Sequence, residues 1–255
     1  MCLILFAVDA HPDYPLILAA NRDEFYQRPT RSAEFWPDFP ELLAGCDLEA
    51  QGTWLGITRQ GRIAAVTNVR DGFTAKNRRH QSRGMLTRDF LTSDESPLSY
   101  LQGLQTQRTL YPGYNLLLGD RNGLYYYSNK QPAPIRLEAG VYGLSNGALN
   151  SPWPKLNRGR TLLQQLLEHS HIDPEQLLSL LKNRIQPSDD ELPDTGVSLG
   201  WERLLAPCFI QSEDYGTRAS TALLIGRNGN IEFHEQNYDH STETERKSFS
   251  FFTKD

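Results

Sequence analysis

Residues 2–24 read CLILFAVDAHPDYPLILAANRDE, and this stretch decides the fold. Residues 2–8 and 16–21 are aliphatic runs, separated by His11, Pro12, Asp13 and Pro15. Two such runs around a turn-forming segment predict an antiparallel hairpin. The first run is too short to span a membrane. It lacks the basic flank of a signal peptide and is broken at once by Asp9 and Pro12, so it reads as a strand. The start of the chain is therefore expected inside a sheet. The second run ends in four polar residues, Asn21-Arg22-Asp23-Glu24, which pairing brings near the level of Cys2.

Working outward, further hairpins are predicted for 53–57 with 62–68, for 114–119 with 124–128, and for 221–226 with 231–235. Helices are predicted over 85–91 and 98–107. Another carries Leu156, Leu163, Leu166 and Leu167 on one face. A further helix starts at Asp173-Pro174, with Gln176 at the third position and Leu177, Leu178, Leu181 and Ile185 as its apolar stripe. Hairpins alternating with helical layers make an α+β chain, which two antiparallel sheets sandwiched by helices would satisfy. There is no repeat and no linker, so residues 1–255 are read as one domain with a polar tail from about 239.

With 38% hydrophobic and 22% charged residues the composition is that of an ordinary globular protein. The net charge of −5 argues against a nucleic-acid binder. The one dense basic stretch, Lys76, Arg78, Arg79, His80 and Arg83, reads as a solvated loop or as a rim that attracts an anion. Three cysteines, Cys2, Cys46 and Cys208, contain no CxxC pair and suit a reducing compartment, so a cytoplasmic location is expected. His169 and His171 have no accompanying ligand pattern and read as surface residues. No metal site and no required cofactor are expected.

Cys2 is the most informative position. Removal of Met1 would leave a thiol and an α-amine on one residue, with ordinary pKa values of ~8.5 and ~7.7–8.0. Together they make a nucleophile with its own base. The competing reading is a cysteine that packs at the start of a buried strand. Arg22 and Asp23 have the charges to favour the thiolate and orient the ammonium, or else form an ordinary ion pair at a strand end.

Cys2, Asn21-Arg22-Asp23-Glu24, Gly52-Thr53-Trp54-Leu55-Gly56, Thr67-Asn68, Tyr142-Gly143-Leu144-Ser145-Asn146, Pro152-Trp153-Pro154-Lys155 and Tyr215-Gly216-Thr217-Arg218 together resemble the NRDE family of transport-and-Golgi-organisation-2-like proteins. The resemblance implies a four-layer αββα fold of the N-terminal-nucleophile (Ntn) hydrolase kind. It also implies roles: Cys2 as nucleophile, Arg22 and Asp23 as its early partners, Asn68 and Asn146 as amide donors, and Arg218 as the late arginine. In hydrolases of that fold the early pair is spaced further apart, which makes Glu24 an alternative to Asp23. A neutral amide suits an oxyanion because it stabilises developing charge without quenching the nucleophile.

Two functions follow as expectations. The resemblance implies a ligand carrier, for haem or for acyl-CoA and related lipids, with Asn21, Glu24, Trp54 and Trp153 lining the ligand site. The set of residues around Cys2 equally suits an amidohydrolase that cleaves a linear amide such as an N-acyl amine. In both cases the partner is a small molecule with an apolar body and, for the carrier, anionic ends. No membrane span is expected.

Overall fold

The first hairpin forms as its sequence requires. Cys2 pairs with Arg22, Leu5 with Ala19 and Val8 with Leu16, in antiparallel register. A computed structural model describes residues 2–72 and 80–254. In chain order the elements are β1 (Cys2–Val8), β2 (Leu16–Phe25), β3 (Thr30–Trp36), β4 (Phe39–Asp47), β5 (Leu55–Thr58), β6 (Ile63–Asn68), α1 (Gly84–Leu91), α2 (Pro97–Gln105), β7 (Tyr114–Asp120), β8 (Gly123–Ser128), β9 (Ile135–Arg136), β10 (Gly140–Leu144), α3 (Pro154–Leu166), α4 (Pro174–Leu181), α5 (Leu199–Leu205), β11 (Tyr215–Ile225), β12 (Asn230–Asp239) and β13 (Thr242–Phe252). This is an α+β chain with two antiparallel sheets. The described residues form two compact units that interleave along the sequence.

The first unit comprises residues 2–27, 70–72 and 138–250. Its six-stranded sheet has the order β10-β1-β2-β11-β12-β13. Leu3, Leu5, Ala7, Ile17, Ala19, Ala222 and Leu224 on one face of the sheet share a core with Leu156 and Leu163 of α3 and Leu177, Leu178 and Leu181 of α4. Each fully buried leucine there contributes ~1.5–3 kcal/mol relative to exposure. The approach of α3 to β1 depends on Gly159, where a Cβ would lie 2.5 Å from Leu5 Cδ1. Residues on opposite faces of a strand alternate, so Cys2, Ile4 and Phe6 point away from the helices. Ile4 and Phe6 are buried as well, which is why β1 reads as an unbroken apolar run and not as an alternating one.

The second unit comprises residues 28–69, 80–137 and 251–254. Its sheet follows sequence order, β3-β4-β5-β6-β7-β8-β9. Leu86, Phe90 and Leu91 of α1 and Leu101 and Leu104 of α2 pack with Leu42, Ala64, Val66, Leu116 and Tyr127 of the sheet.

Several elements differ from the sequence reading. The hairpin of β3 and β4 and helix α5 were not expected. The polar tail is instead β13, a regular strand at the sheet edge, where charged side chains are favoured because they blunt edge-to-edge pairing. Asp173 caps α4 by accepting from Glu175 N, as its sequence suggested, but the helix stops at Leu181 and leaves Ile185 exposed. Lys76, Arg78 and Arg79 lie outside the described residues. His80 is exposed, and Arg83 is not simply solvated: its Nε donates to the Gly113 carbonyl at 2.8 Å.

Candidate functional site

The site is built where the starts of β1 and β11 meet the end of β2. Ser145 Oγ donates to the Cys2 carbonyl at 2.9 Å, tying the end of β10 to the start of β1. Leu144 is level with Ile4 in the β1–β10 ladder. On the other side Arg22 and Cys2 are level on neighbouring strands, and Asn146 follows Ser145 just past the end of β10.

Asp23 belongs to the opposite face of β2 yet serves Cys2 through its backbone, whose N–H hydrogen-bonds the sulfur. Its carboxyl is buried on the helix side, where Thr217, its register partner on β11, donates to Oδ1 at 2.7 Å. Burial pushes the Asp23 carboxyl up, opposed by Lys155, Thr217 and Arg22. Burial also pushes the Cys2 thiol up; Asp23 adds to the shift, while Arg22 and the Asp23 N–H oppose it.

Two further cations complete the surroundings. Lys155 stands in the first turn of α3, 4% exposed, and donates to the Leu205 carbonyl at 2.8 Å. Its ammonium is pushed down to about 8, chiefly by burial, with Asp23 opposing. The backbone N–H of Arg70 donates to the Asn146 carbonyl at 2.8 Å. Its guanidinium lies 4.9 Å over the Trp153 ring and donates to Glu202 at 2.6 Å. A small cavity, with room for about one water, is lined by Arg70, Trp153, Lys155, Glu202 and Leu205, among others.

A sequence profile of the family described as Transport and Golgi organisation 2 matches residues 1–240. The chain belongs to this family. The mouse Transport and Golgi organization 2 homolog is 38% identical over 92% of each chain. The human Transport and Golgi organization protein 2 homolog is 37% identical over the same shares. Among solved structures, the Caenorhabditis elegans N-acylethanolamine-hydrolyzing acid amidase ortholog is similar, with a TM-score of 0.55. That likeness covers 88% of this chain and 92% of the other at 10% identity, and it shows a shared Ntn-hydrolase fold. Among the described residues no helix is long and apolar enough to cross a membrane.

The expected site residues are distributed as follows in the fold. Cys2, Arg22, Asp23, Asn146 and Trp153 sit as described above. Asn21, expected in the ligand site, has its side chain taken up by the fold: its Nδ2 donates to the carbonyls of Leu181 and Cys208, at 3.0 and 2.9 Å, and its Oδ1 accepts from Ser220 at 2.6 Å. This reflects strand alternation, which turns Asn21 toward α4 and away from the face of Cys2. Glu24 accepts from the Phe25 N–H at 2.9 Å. Arg218 is the extra residue of a β-bulge in β11 and donates to the carbonyls of Phe25 and Tyr26. Asn68, which ends β6, and Trp54, whose ring closes over Gly45, belong to the second unit.

Sequence reasoning missed Arg70, Thr217 and Lys155 as site residues. For Lys155 a signal existed, since a cation in the first turn of a helix opposes the helix dipole.

Proposed function

We propose that this protein is a ligand carrier that holds the anionic end of an amphipathic molecule, haem or an acyl-CoA, beside Cys2. The supporting observation is the charge balance. Arg22, Lys155 and Arg70 are three buried or nearly buried cations, set against the buried carboxyls of Asp23 and Glu202, in a protein whose overall charge is −5. Cations removed from water are stabilised by a nearby anion. The cavity beside them is far smaller than the ~300–1,000 Å³ of whole-ligand pockets, so an apolar body would lie outside it. Burial raises the Cys2 thiol, which binding tolerates and which an enzyme would have to offset by passing the proton to its own base. Haem titrated into the purified protein is expected to give a shifted Soret band and to pass to an apo-acceptor faster than from buffer. A spectrum equal to that of haem with an unrelated protein of similar charge would refute this reading.

A second reading is favoured by the pairing of Arg22 with Cys2, the Ser145 bond to the Cys2 carbonyl that brings Asn146 near, and the Asp23 N–H on the sulfur. That arrangement supports an Ntn cysteine amidohydrolase acting on a linear amide such as an N-acyl amine, with Asn146 as the oxyanion donor. It requires loss of Met1, which intact mass measures directly. Cleavage of an N-acyl amine panel, abolished in Cys2→Ala, is the expected result for an enzyme. Wild-type protein lacking Met1 and showing no cleavage leaves the carrier.

A further inference from the structure

β1 pairs with β10 in a ladder whose last step is Ile4 with Leu144, yet β1 itself continues to Cys2, which is paired with Arg22 on its other side. An end residue with a ladder on one side frays unless something else holds it. Here a side chain takes over where the ladder stops. The Ser145 hydroxyl, 0% exposed, donates to the Cys2 carbonyl at 2.9 Å, and the same oxygen lies 3.3 Å from Asn146 Oδ1. A hydroxyl carries one proton, so the two acceptors share it, the nearer carbonyl taking the larger part. The backbone on either side of Ser145 is fixed separately. The Asn146 carbonyl accepts from the Arg70 N–H at 2.8 Å, and Asn150 closes the loop by donating its N–H to the Gly143 carbonyl and accepting the Gly143 N–H on Oδ1. Ser145 thus stands on a rigid support and touches both Cys2 and the Asn146 side chain.

We propose that Ser145 is a positioning residue of the Cys2 site: its single hydroxyl couples the backbone of Cys2 to the amide of Asn146, so that the two keep one relative arrangement. A thiol and an amide act on the same small group only when both are held within about 0.5 Å of the productive geometry. Removing the hydroxyl releases them together. Cys2 loses the bond that replaces its ladder on the β10 side, and the Asn146 amide loses the contact that limits its rotation. Threonine keeps the hydroxyl on the same carbon and keeps the coupling. The inference rests on Cys2 being the centre of the site, and holds for a carrier or an enzyme.

The test reads both ends of the coupling in Ser145→Ala and Ser145→Thr. The first readout is Cys2 alkylation by iodoacetamide at pH 7.5, followed by peptide mass so that Cys46 and Cys208 are scored separately. Ser145→Ala should alkylate Cys2 about fivefold faster or more, because fraying exposes a thiol that the fold keeps partly buried, while Cys46 and Cys208 stay at their wild-type rates. The second readout is the pair of Asn146 side-chain amide signals in nitrogen–proton correlation spectra, assigned by their loss in Asn146→Asp. These should move in Ser145→Ala, and Ser145→Thr should return both readouts to wild type. A serine that serves the Cys2 carbonyl alone would leave the Asn146 signals in place, so a change at one end without the other overturns the proposal. If Ser145→Ala does not fold, Ser145→Cys keeps the size with a much weaker donor, and Asn146 signals that coincide with wild type overturn it equally. Absence of amide cleavage alongside these changes would refute the amidohydrolase and leave the role of Ser145 standing.

Discussion

The Thr217 hydroxyl donates to Asp23 Oδ1 at 2.7 Å and accepts from the Ile210 N–H at 2.9 Å, so one side chain ties the buried carboxyl to the loop that enters β11. Thr217→Val keeps the shape and removes both bonds. It is expected to cost ~1–3 kcal/mol, the range for stranding a buried polar group, and Thr217→Ser should recover most of it. Urea unfolding of the two variants decides this; equal stabilities would show that the hydroxyl does not hold Asp23.

Arg70 and Glu202 form a buried ion pair at 2.6 Å, and the other carboxylate oxygen of Glu202 accepts from the Thr195 N–H and hydroxyl. Breaking such a pair from one side leaves an uncompensated charge, so Glu202→Leu should cost ~3–5 kcal/mol. Adding Arg70→Met to that background should recover a large part of the loss. A double variant as unstable as the sum of the two singles would contradict the coupling.

Asn21 and Asp23 flank Arg22 on β2, and the Asn21 side chain is engaged by the fold. Asn21→Ala strands the carbonyls of Leu181 and Cys208 and the Ser220 hydroxyl, at a cost of ~1–3 kcal/mol. The pH midpoint of Cys2 alkylation should stay where it is in wild type. A shifted midpoint with undiminished stability would return Asn21 to the site.

Lys155 also makes stability depend on pH. An unfolded lysine keeps its proton up to about 10.5, whereas Lys155 in the fold releases it near 8. Between those values the unfolded state binds more protons, so the contribution of Lys155 to stability rises with pH. Cys208 has the opposite sign: burial raises its thiol from 9.0 to about 11, so its contribution falls as pH rises over that window. The difference between wild type and Lys155→Met isolates the lysine. Wild type should gain up to about 3 kcal/mol relative to the variant between pH 7.5 and 10.5. A gap that does not change with pH would mean that the ammonium is solvated.

The first hairpin and the cap of α4 were legible because both depend on neighbours in sequence: aliphatic runs around prolines, and an aspartate before a proline. The hairpin of β3 and β4 was not. Pro40 and Gly45 stand inside β4, and both residue types lower a strand reading unless the position is known to lie beside a ring such as Trp54. β13 was hidden by its charges, which mark a disordered tail and an exposed edge strand equally well.

By itself the sequence determined that Cys2 begins a buried strand and that Arg22 and Asp23 return beside it, because a hairpin of this length has one register that buries its aliphatic residues. It also determined the family, through motifs in a fixed order. Only the tertiary structure decided which face each side chain serves. Asn21, adjacent to Arg22, was turned to the helices, while Lys155, more than a hundred residues away, was brought to Asp23. Strand alternation assigns neighbours to opposite faces, and the docking of α3 on β1 sets Lys155 beside a carboxyl that no spacing in the sequence connects to it.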